Sequence, residues 1–305
     1  MLVPVYWYLK HRLCYDQTFL DETLSNTATD FFDHMEFTLP AHLGAGGIVV
    51  IPGRQCVEPP ANDVPGLKQL IADMPWAVVM IVGDEESRFP FQELMMPHTR
   101  VWVMSPVKGR HDRLAGRHVI NGSQPELLRC IDHLQRINNG QIAKPLDWFF
   151  AGQVTHPRRV QCVEQLRKMS GGELIETKGF LQGISPMDYY LKMLQAKVIP
   201  CPSGPVELSC ARIFEAIECG CVPIVDGKTP YPEYKYAPGP GYWEWFFDLP
   251  SPPFPVIYDW STLPQVMNTV LADWAGYQGR ISKWWNQYKA SFRERVMNDV
   301  KALRT

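Results

Sequence analysis

Glu207, Arg212 and Glu215 are three of the five charged residues inside the mostly apolar run "PSGPVELSCARIFEAIECGCVPIVD" (202–226). Charge beside so much apolar sequence is costly unless something pairs with it. Either these side chains satisfy one another or they await a polar ligand. A strand over 196–201, a loop at Ser203-Gly204-Pro205 and a helix opening at Ser209 turn free amides and the positive end of a helix dipole toward one point. Serine suits the cap of such a helix. Cys210, Ile213, Phe214 and Ile217 fall at helical spacing as its buried stripe, and Arg212 and Glu215, three apart, share another face. A guanidinium there clamps a diphosphate through paired donors. A carboxylate one turn further accepts from the two hydroxyls of a ribose. These are the parts of a nucleoside diphosphate site. The competing reading is a surface i, i+3 ion pair between the same two residues.

The elements that must hold this loop follow an α/β alternation. Strands are expected at 3–9, 47–53, 76–86 and 100–106, then a helix over 122–140 with Pro125 in its first turn. After a linker at 137–145, the order is a strand at 146–152, a helix at 157–169, a strand at 172–176, a helix at 185–195, the strand at 196–201, a helix at 209–219 and a strand at 221–225. Uniformly apolar strands mark parallel sheets buried on both faces. The tail 261–305 reads as helical with a break near Gly276–Gly279, and the Pro- and aromatic-rich stretch 229–255 reads as an ordered loop.

A chain of 305 residues, 46% hydrophobic and 20% charged, describes a folded protein with room for two domains. Its net charge of −2 excludes a strong bulk attraction to polyanions, although patches can hide in the sum. The eight cysteines show no CxxC pair, and several fall in apolar runs. They read as reduced core residues of a cytoplasmic protein rather than zinc ligands or disulfides. No apolar run approaches the ~20 residues of a membrane span, so no integral membrane segment is expected.

The pattern "FFAG…R…CPSG…SCARIFEAIECGCVPIV" resembles the C-terminal half of exostosin-like glycosyltransferases, whose fingerprint is P-x-G…s-x-R-x-x-E-A-x-x-x-G-C-x-P-v. The Glu207 to Glu215 spacing is similar to the E-x7-E element of glycosyltransferases of the GT-B fold. "YDQ" (15–17), "VVIPGR" (49–54) and "VGDEES" (82–87) look like features of small soluble relatives of that group. The resemblance implies an α/β, GT-B architecture of two Rossmann-like, doubly wound domains facing a cleft. These are an acceptor-side domain at 1–140, a nucleotide-sugar domain at 146–275, and a C-terminal helix at 276–305 crossing back to the first. It implies that Arg212 binds the donor diphosphate and Glu215 the ribose. Ser203, Gly204 and Ser209 line the phosphate side, Glu207 faces the donor sugar, and Arg158 or Arg159 is a further phosphate partner.

Ligands of open α/β sheets bind beyond the carboxyl ends of the strands. That rule nominates Asp16, Asp84 and Glu85 for the base that an inverting transfer needs. Each has a plainer role: Asp16 as a helix cap, Asp84-Glu85-Glu86 as a turn. No D-x-D occurs, so no metal is expected to bridge the diphosphate and Arg212 with helix amides must carry the leaving-group charge. No cofactor is expected beyond the donor, read as a UDP-sugar. The acceptor is open. Two basic clusters, 100–118 with five Lys/Arg against one acid and 280–304 with seven against two, are either solvated faces or a contact for a polyanion. Under the second reading the acceptor is a hydroxymethylated pyrimidine in DNA. Under the first it is a glycan or glycoconjugate, and the aromatics of 231–247 form a wall for it. A binding protein without turnover on the same scaffold is the remaining alternative.

Overall fold

A computed structural model of the chain describes residues 1–10, 16–59, 62–84, 88–104, 114, 116–120, 122–137, 142–179, 183–204, 208–228, 241–249 and 252–305. The chain divides into two compact units, one of Met1–Gly122 with Gln287–Thr305 and one of Ser123–Asn286. Each is organised by its own parallel sheet.

In the first unit, β1 (Leu2–Tyr8), β2 (Phe31–Phe37), β3 (Gly47–Pro52), β4 (Ala77–Val82), β5 (Thr99–Met104) and β6 (His118–Val119) lie in the order β2-β1-β3-β4-β5-β6. Every pairing is parallel. Sequence reading misses β2 and β6. β2, "FFDHMEF", is an edge strand with most of its residues exposed, so it lacks the apolar continuity of a buried parallel strand. The helices α1 (Asp16–Thr23), α2 (Gly53–Val57) and α3 (Val64–Ala72) follow β1, β3 and α2 in turn. One core cluster packs Val49, Ile51, Leu67, Ile71, Val79 and Ile81 around β3 and β4.

The second unit opens with α4 (Pro125–Ile137). β7 (Leu146–Gln153), α5 (Pro157–Leu166), β8 (Gly172–Thr177), α6 (Pro186–Leu194), β9 (Ala196–Cys201), α7 (Ala211–Glu218) and β10 (Val222–Asp226) follow. Then come α8 (Tyr242–Phe247), β11 (Val256–Ile257), α9 (Leu263–Ala272) and α10 (Trp274–Arg304). Its sheet order is β11-β10-β9-β7-β8, again all parallel. Counted from the first strand of each unit, both sheets wind outward from strand one, with strand two on one side and strand three on the other. That reversal is the topological switch point where α/β sheets open a crevice.

Two boundaries differ from the sequence expectation. The division of contacts falls at Gly122/Ser123 rather than in a linker at 137–145. The reason lies in α4, whose Cys130 thiol contacts Met187 and whose leading Gln124 amide donates to the Tyr190 hydroxyl at 3.2 Å, both on α6. The helical tail breaks at Asp273, between α9 and α10, and runs unbroken through Gly276 and Gly279. Gly276 leaves space for Asp273, whose carboxylate would lie 2.2 Å from a Cβ there. α10 gives its residues up to Asn286 to the second unit and the rest to the first.

Lys144 fastens the second unit beneath β7. Its ammonium donates to the carbonyls of Leu194, Ala196 and Cys219, each at 2.9 Å, which gathers the ends of α6 and α7 and the start of β9. A cation suits these carbonyl-rich helix ends. The seven described cysteines are all free, six of them buried. Among the described residues no helix is long and apolar enough to cross a membrane.

Candidate functional site

α7 carries the two charged residues singled out by the sequence, and its ends are firmly defined. Its first residue is Ala211, one later than a cap at Ser209 requires. Cys210 occupies the cap position in extended backbone, with no side-chain cap bond. The expected Ser209 cap is therefore corrected. Leu208 and Ser209 are buried ahead of the helix, and the extended Cys210 turns the chain into it. The shift makes Arg212 the second residue of the first turn rather than the third. At the other end Gly220 adopts φ +65°, with Gly220 N–H donating to Ile217 O and Cys221 N–H to Ala216 O. This paired closure needs a left-handed residue, which explains the glycine of "ECGCVP".

The switch point of the second unit lies between β7 and β9. Their ladder holds at Leu146↔Ala196 and Trp148↔Val198. Beyond it, Arg212 Nη2 donates to Ala151 O at 2.8 Å, and the guanidinium sits 4.6 Å over the Phe150 ring. Gly152 makes this possible, because a Cβ there would come within 2.5 Å of Nη2. The Nε and Nη1 atoms of Arg212 are enclosed and have no hydrogen-bond partner. Burial works against its charge, yet Tyr189, Cys210, Cys201 and Glu215 around it hold its pKa above the ordinary arginine value. Arg212 is thus a fixed cation with donors to spare.

Glu215 is 4% exposed, and both its oxygens accept from tyrosines: Oε2 from Tyr189 at 2.9 Å and Oε1 from Tyr190 at 2.6 Å. The tyrosines are positioned by α6, which starts at Pro186 behind Ser185. The Ser185 hydroxyl accepts from the Asp188 amide and donates to its carboxylate. Burial raises the Glu215 pKa, and the two phenols and Arg212 oppose that rise. A surface ion pair with Arg212 is not what holds it. Tyr189 and Tyr190 were missed at the sequence level, and a "DYY" inside an amphipathic helix carries no signal of its own.

The doubled arginine at the start of α5 separates by partner. Arg158 is buried against Asp226 at the end of β10. Its Nε lies 3.1 Å from both carboxylate oxygens, its Nη2 bonds Asp226 Oδ1 closely, and its Nη1 donates to Gln161. Asp226 is fully buried and also accepts from Ser203 N at 3.3 Å, Lys228 N at 3.2 Å and Trp260 Nε1 at 3.1 Å. It knots the ends of β9, β10 and α5 together, so Arg158 is committed to the scaffold. Arg159 donates to Gln153 O at 3.3 Å and keeps its place beside the crevice. Asp226, an acid ending an apolar strand, was the legible but unread signal here. Ser203 and Gly204 are both buried just beyond β9. His156, in the cap position of α5, is also buried.

Other nominated residues fare differently. Glu207 and Glu85 lie outside the described residues. Asp16 is the first residue of α1, the helix that follows β1 in the chain. Asp84 is buried, its Oδ1 and Oδ2 accepting from the Arg88 and Phe89 amides at 2.8 Å each. That is the turn-bracing role, and an enclosed carboxylate doubly bonded to amides is a poor proton acceptor. Of the aromatic stretch, 229–240 lies outside the described residues, while Trp243, Phe246 and Phe247 of α8 are buried and pack with Phe254 and Trp284. They build core rather than a binding wall. The basic face of α10 is likewise spent locally. Lys289 pairs with Glu22, Arg293 donates to the carbonyls of Thr23 and Ser25 at the end of α1, and Arg295 to Gly116 O.

No curated protein matches the chain. Residues 181–303 match the family model of the RXYLT1 C-terminal domain, which at a coarse level is an exostosin-like glycosyltransferase family. The match takes in α6, β9, α7 and β10, and with them Tyr189, Tyr190, Ser203, Arg212, Glu215 and Asp226. It begins after His156, Arg158 and Arg159. What this part of the chain is similar to is thus a glycosyltransferase domain, and the similarity covers Arg212 itself but not β7, whose Phe150 ring and Ala151 carbonyl hold it.

Proposed function

We propose that the protein is a glycosyltransferase of GT-B type that moves a sugar from a nucleotide-sugar donor, read as a UDP-sugar, to a hydroxyl of a glycan or glycoconjugate. The observation that carries this reading is Arg212: a cation in the first turn of α7, beyond the β7–β9 ladder, with Nε and Nη1 enclosed and unspent. Enclosed donors without partners are rare in folded proteins and point to an absent acceptor. A diphosphate offers the matching charge and geometry.

In this reading the acceptor oxygen attacks the anomeric carbon while the bond to the distal phosphate oxygen breaks. Arg212 and the first amides of α7 receive the charge that develops on the departing nucleoside diphosphate, so no metal is needed for that step. Glu215, oriented by two phenols, has lone pairs left for ribose hydroxyls. The acceptor's proton needs a carboxylate to receive it. With Asp84 bound into its turn, Asp16 and Glu85 are the residues to test. A hydroxymethylated DNA base is not proposed as acceptor: nothing supports it, and Lys289, Arg293 and Arg295 of the basic tail are engaged with the protein itself.

The test is calorimetric binding of UDP and turnover of a panel of UDP-sugars, UDP-xylose included, by the wild type and Arg212→Ala. The variant is expected to lose about a hundredfold or more in turnover, the scale of removing one preorganised donor from a developing charge. Equal binding and turnover in the two proteins would remove the basis of the assignment.

A further inference from the structure

Arg212 does not exhaust the unmet donors at these strand ends. His156 is 4% exposed and Ser203 fully buried. Both ring nitrogens of His156 and the hydroxyl of Ser203 lack a hydrogen-bond partner. The two residues sit on the two loops that flank the switch point, His156 after β7 and Ser203 after β9. Neutral imidazole carries one N–H and a serine one O–H, so at least two enclosed donors stand unused. Apolar residues of similar volume would fill the same space without leaving polar groups unmet. Their position also matches the start of α5, whose leading residue Pro157 has no amide hydrogen to offer. Side-chain donors at that point supply what the helix end cannot.

We infer that His156 joins Ser203 as a phosphate-binding residue, the two donating to oxygens of the donor diphosphate at the switch point between β7 and β9. The inference rests on the donor-site reading above and, through His156, extends it beyond the family match, which begins at residue 181. The groups facing His156 are Arg158 and Arg159 from α5, the Ser203 main chain beyond β9 and Asp226 at the end of β10. Burial first, then Arg159, lowers its pKa to about 4, while Ser203 and Asp226 pull the other way. Asp226 is already taken up by Arg158, Trp260 and the Ser203 amide. His156 therefore meets the phosphate as a neutral donor. It adds a directed hydrogen bond where Arg159 and Arg212 already supply the positive charge. This makes it a ligand contact and not an acid that protonates the leaving group.

The experiment measures affinity for inorganic pyrophosphate, UDP and uridine by calorimetry, with His156→Phe, Ser203→Ala and Arg212→Ala beside the wild type and thermal melting of each. His156→Phe is expected to bind pyrophosphate and UDP about tenfold more weakly or worse, the effect of deleting one hydrogen bond to a charged group, and Ser203→Ala several-fold more weakly. Uridine affinity and melting temperature are expected to hold in both, since the atoms removed, the His156 ring nitrogens and the Ser203 hydroxyl, have no hydrogen-bond partner in the protein. As pH falls from 7 toward 4.5, wild-type affinity for pyrophosphate is expected to hold or rise relative to His156→Phe, because the bound anion favours the imidazolium. Unchanged pyrophosphate and UDP affinity in both variants, with Arg212→Ala impaired, would overturn the role of His156 and Ser203 and leave the donor site standing. A lowered melting temperature with unchanged affinity would assign them to the scaffold instead. Failure of the wild type to bind either probe would overturn both readings together.

Discussion

Gly152→Ala separates the position of Arg212 from its presence. The alanine methyl would stand 2.5 Å from Arg212 Nη2, and an ordinary contact near 3.5 Å asks the guanidinium to retreat by about 1 Å. The donor bond to Ala151 O, now 2.8 Å, then exceeds hydrogen-bonding reach, and the stacking over Phe150 is disturbed. Losing one charge-assisted bond costs about 1.5–3 kcal/mol, offset in part by about 0.4–1 kcal/mol from the stiffer unfolded chain. The variant therefore stays folded. A misplacement of about 1 Å in a charge-stabilising group is worth roughly a hundredfold in rate. The assay pairs urea unfolding with UDP binding and UDP-sugar turnover, and it expects a small loss of stability beside a large loss of turnover. Turnover within about twofold of wild type, with stability reduced as stated, would refute the reasoning: the guanidinium would have moved without consequence, and its place over Phe150 would be a packing feature only.

Asp226→Ala is expected to lower unfolding free energy by about 3–5 kcal/mol in urea titrations, because it strands the buried Arg158 guanidinium as well as the donors of Trp260 and Ser203. Replacing Arg158 and Asp226 together by apolar residues should recover a large part of that loss, and a double variant no better than the single one would contradict the pairing. The pH dependence of stability has two opposed contributions. His156 titrates near 4 in the folded protein and near 6.5 unfolded, so below 6.5 the unfolded chain takes up a proton that the native state refuses. Its contribution, about 3 kcal/mol, is present above pH 6.5 and is lost as pH falls toward 4. Glu215 has a folded pKa raised by burial, so stability falls as pH rises above its unfolded value toward the raised one. Urea titrations from pH 4 to 7 should show the rise over this window flattened in His156→Asn, and parallel curves for wild type and variant would exclude a buried neutral imidazole.

What was legible in the sequence follows from which physical demands leave a local trace. "AVVMIV" of β4 and "AKVIPC" of β9 announce themselves because a strand covered on both faces has no polar alternate positions. "FFDHMEF" of β2 does not, since an edge strand tolerates Asp33, His34 and Glu36 on its open faces. The Arg212–Glu215 spacing is likewise a local fact, and helical geometry alone places the two side chains within reach of one region. Their partners are not local. Tyr189 and Tyr190 come from the preceding helix, and the Ala151 carbonyl comes from a strand some sixty positions earlier, |i−j| 61, whose link to α7 exists only after the sheet has wound past its reversal.

The same distinction explains why Arg158 and Arg159, identical in type and adjacent in sequence, divide so sharply. A helix turns by roughly 100° per residue, so neighbours face different surroundings. Arg158 meets Asp226 in the interior, whereas Arg159 reaches the end of β7. An unmet hydrogen bond is harder still to foresee, because it is a property of everything that surrounds a group. His156 looks ordinary in the chain, and it, Ser203 and Arg212 form a set only when the enclosing strands leave their polar atoms without acceptors. Folding energetics alone would select against such a cluster, since each member gives up water without replacement. In the proposed reading, its concentration at the β7–β9 switch point marks a ligand that supplies the missing acceptors.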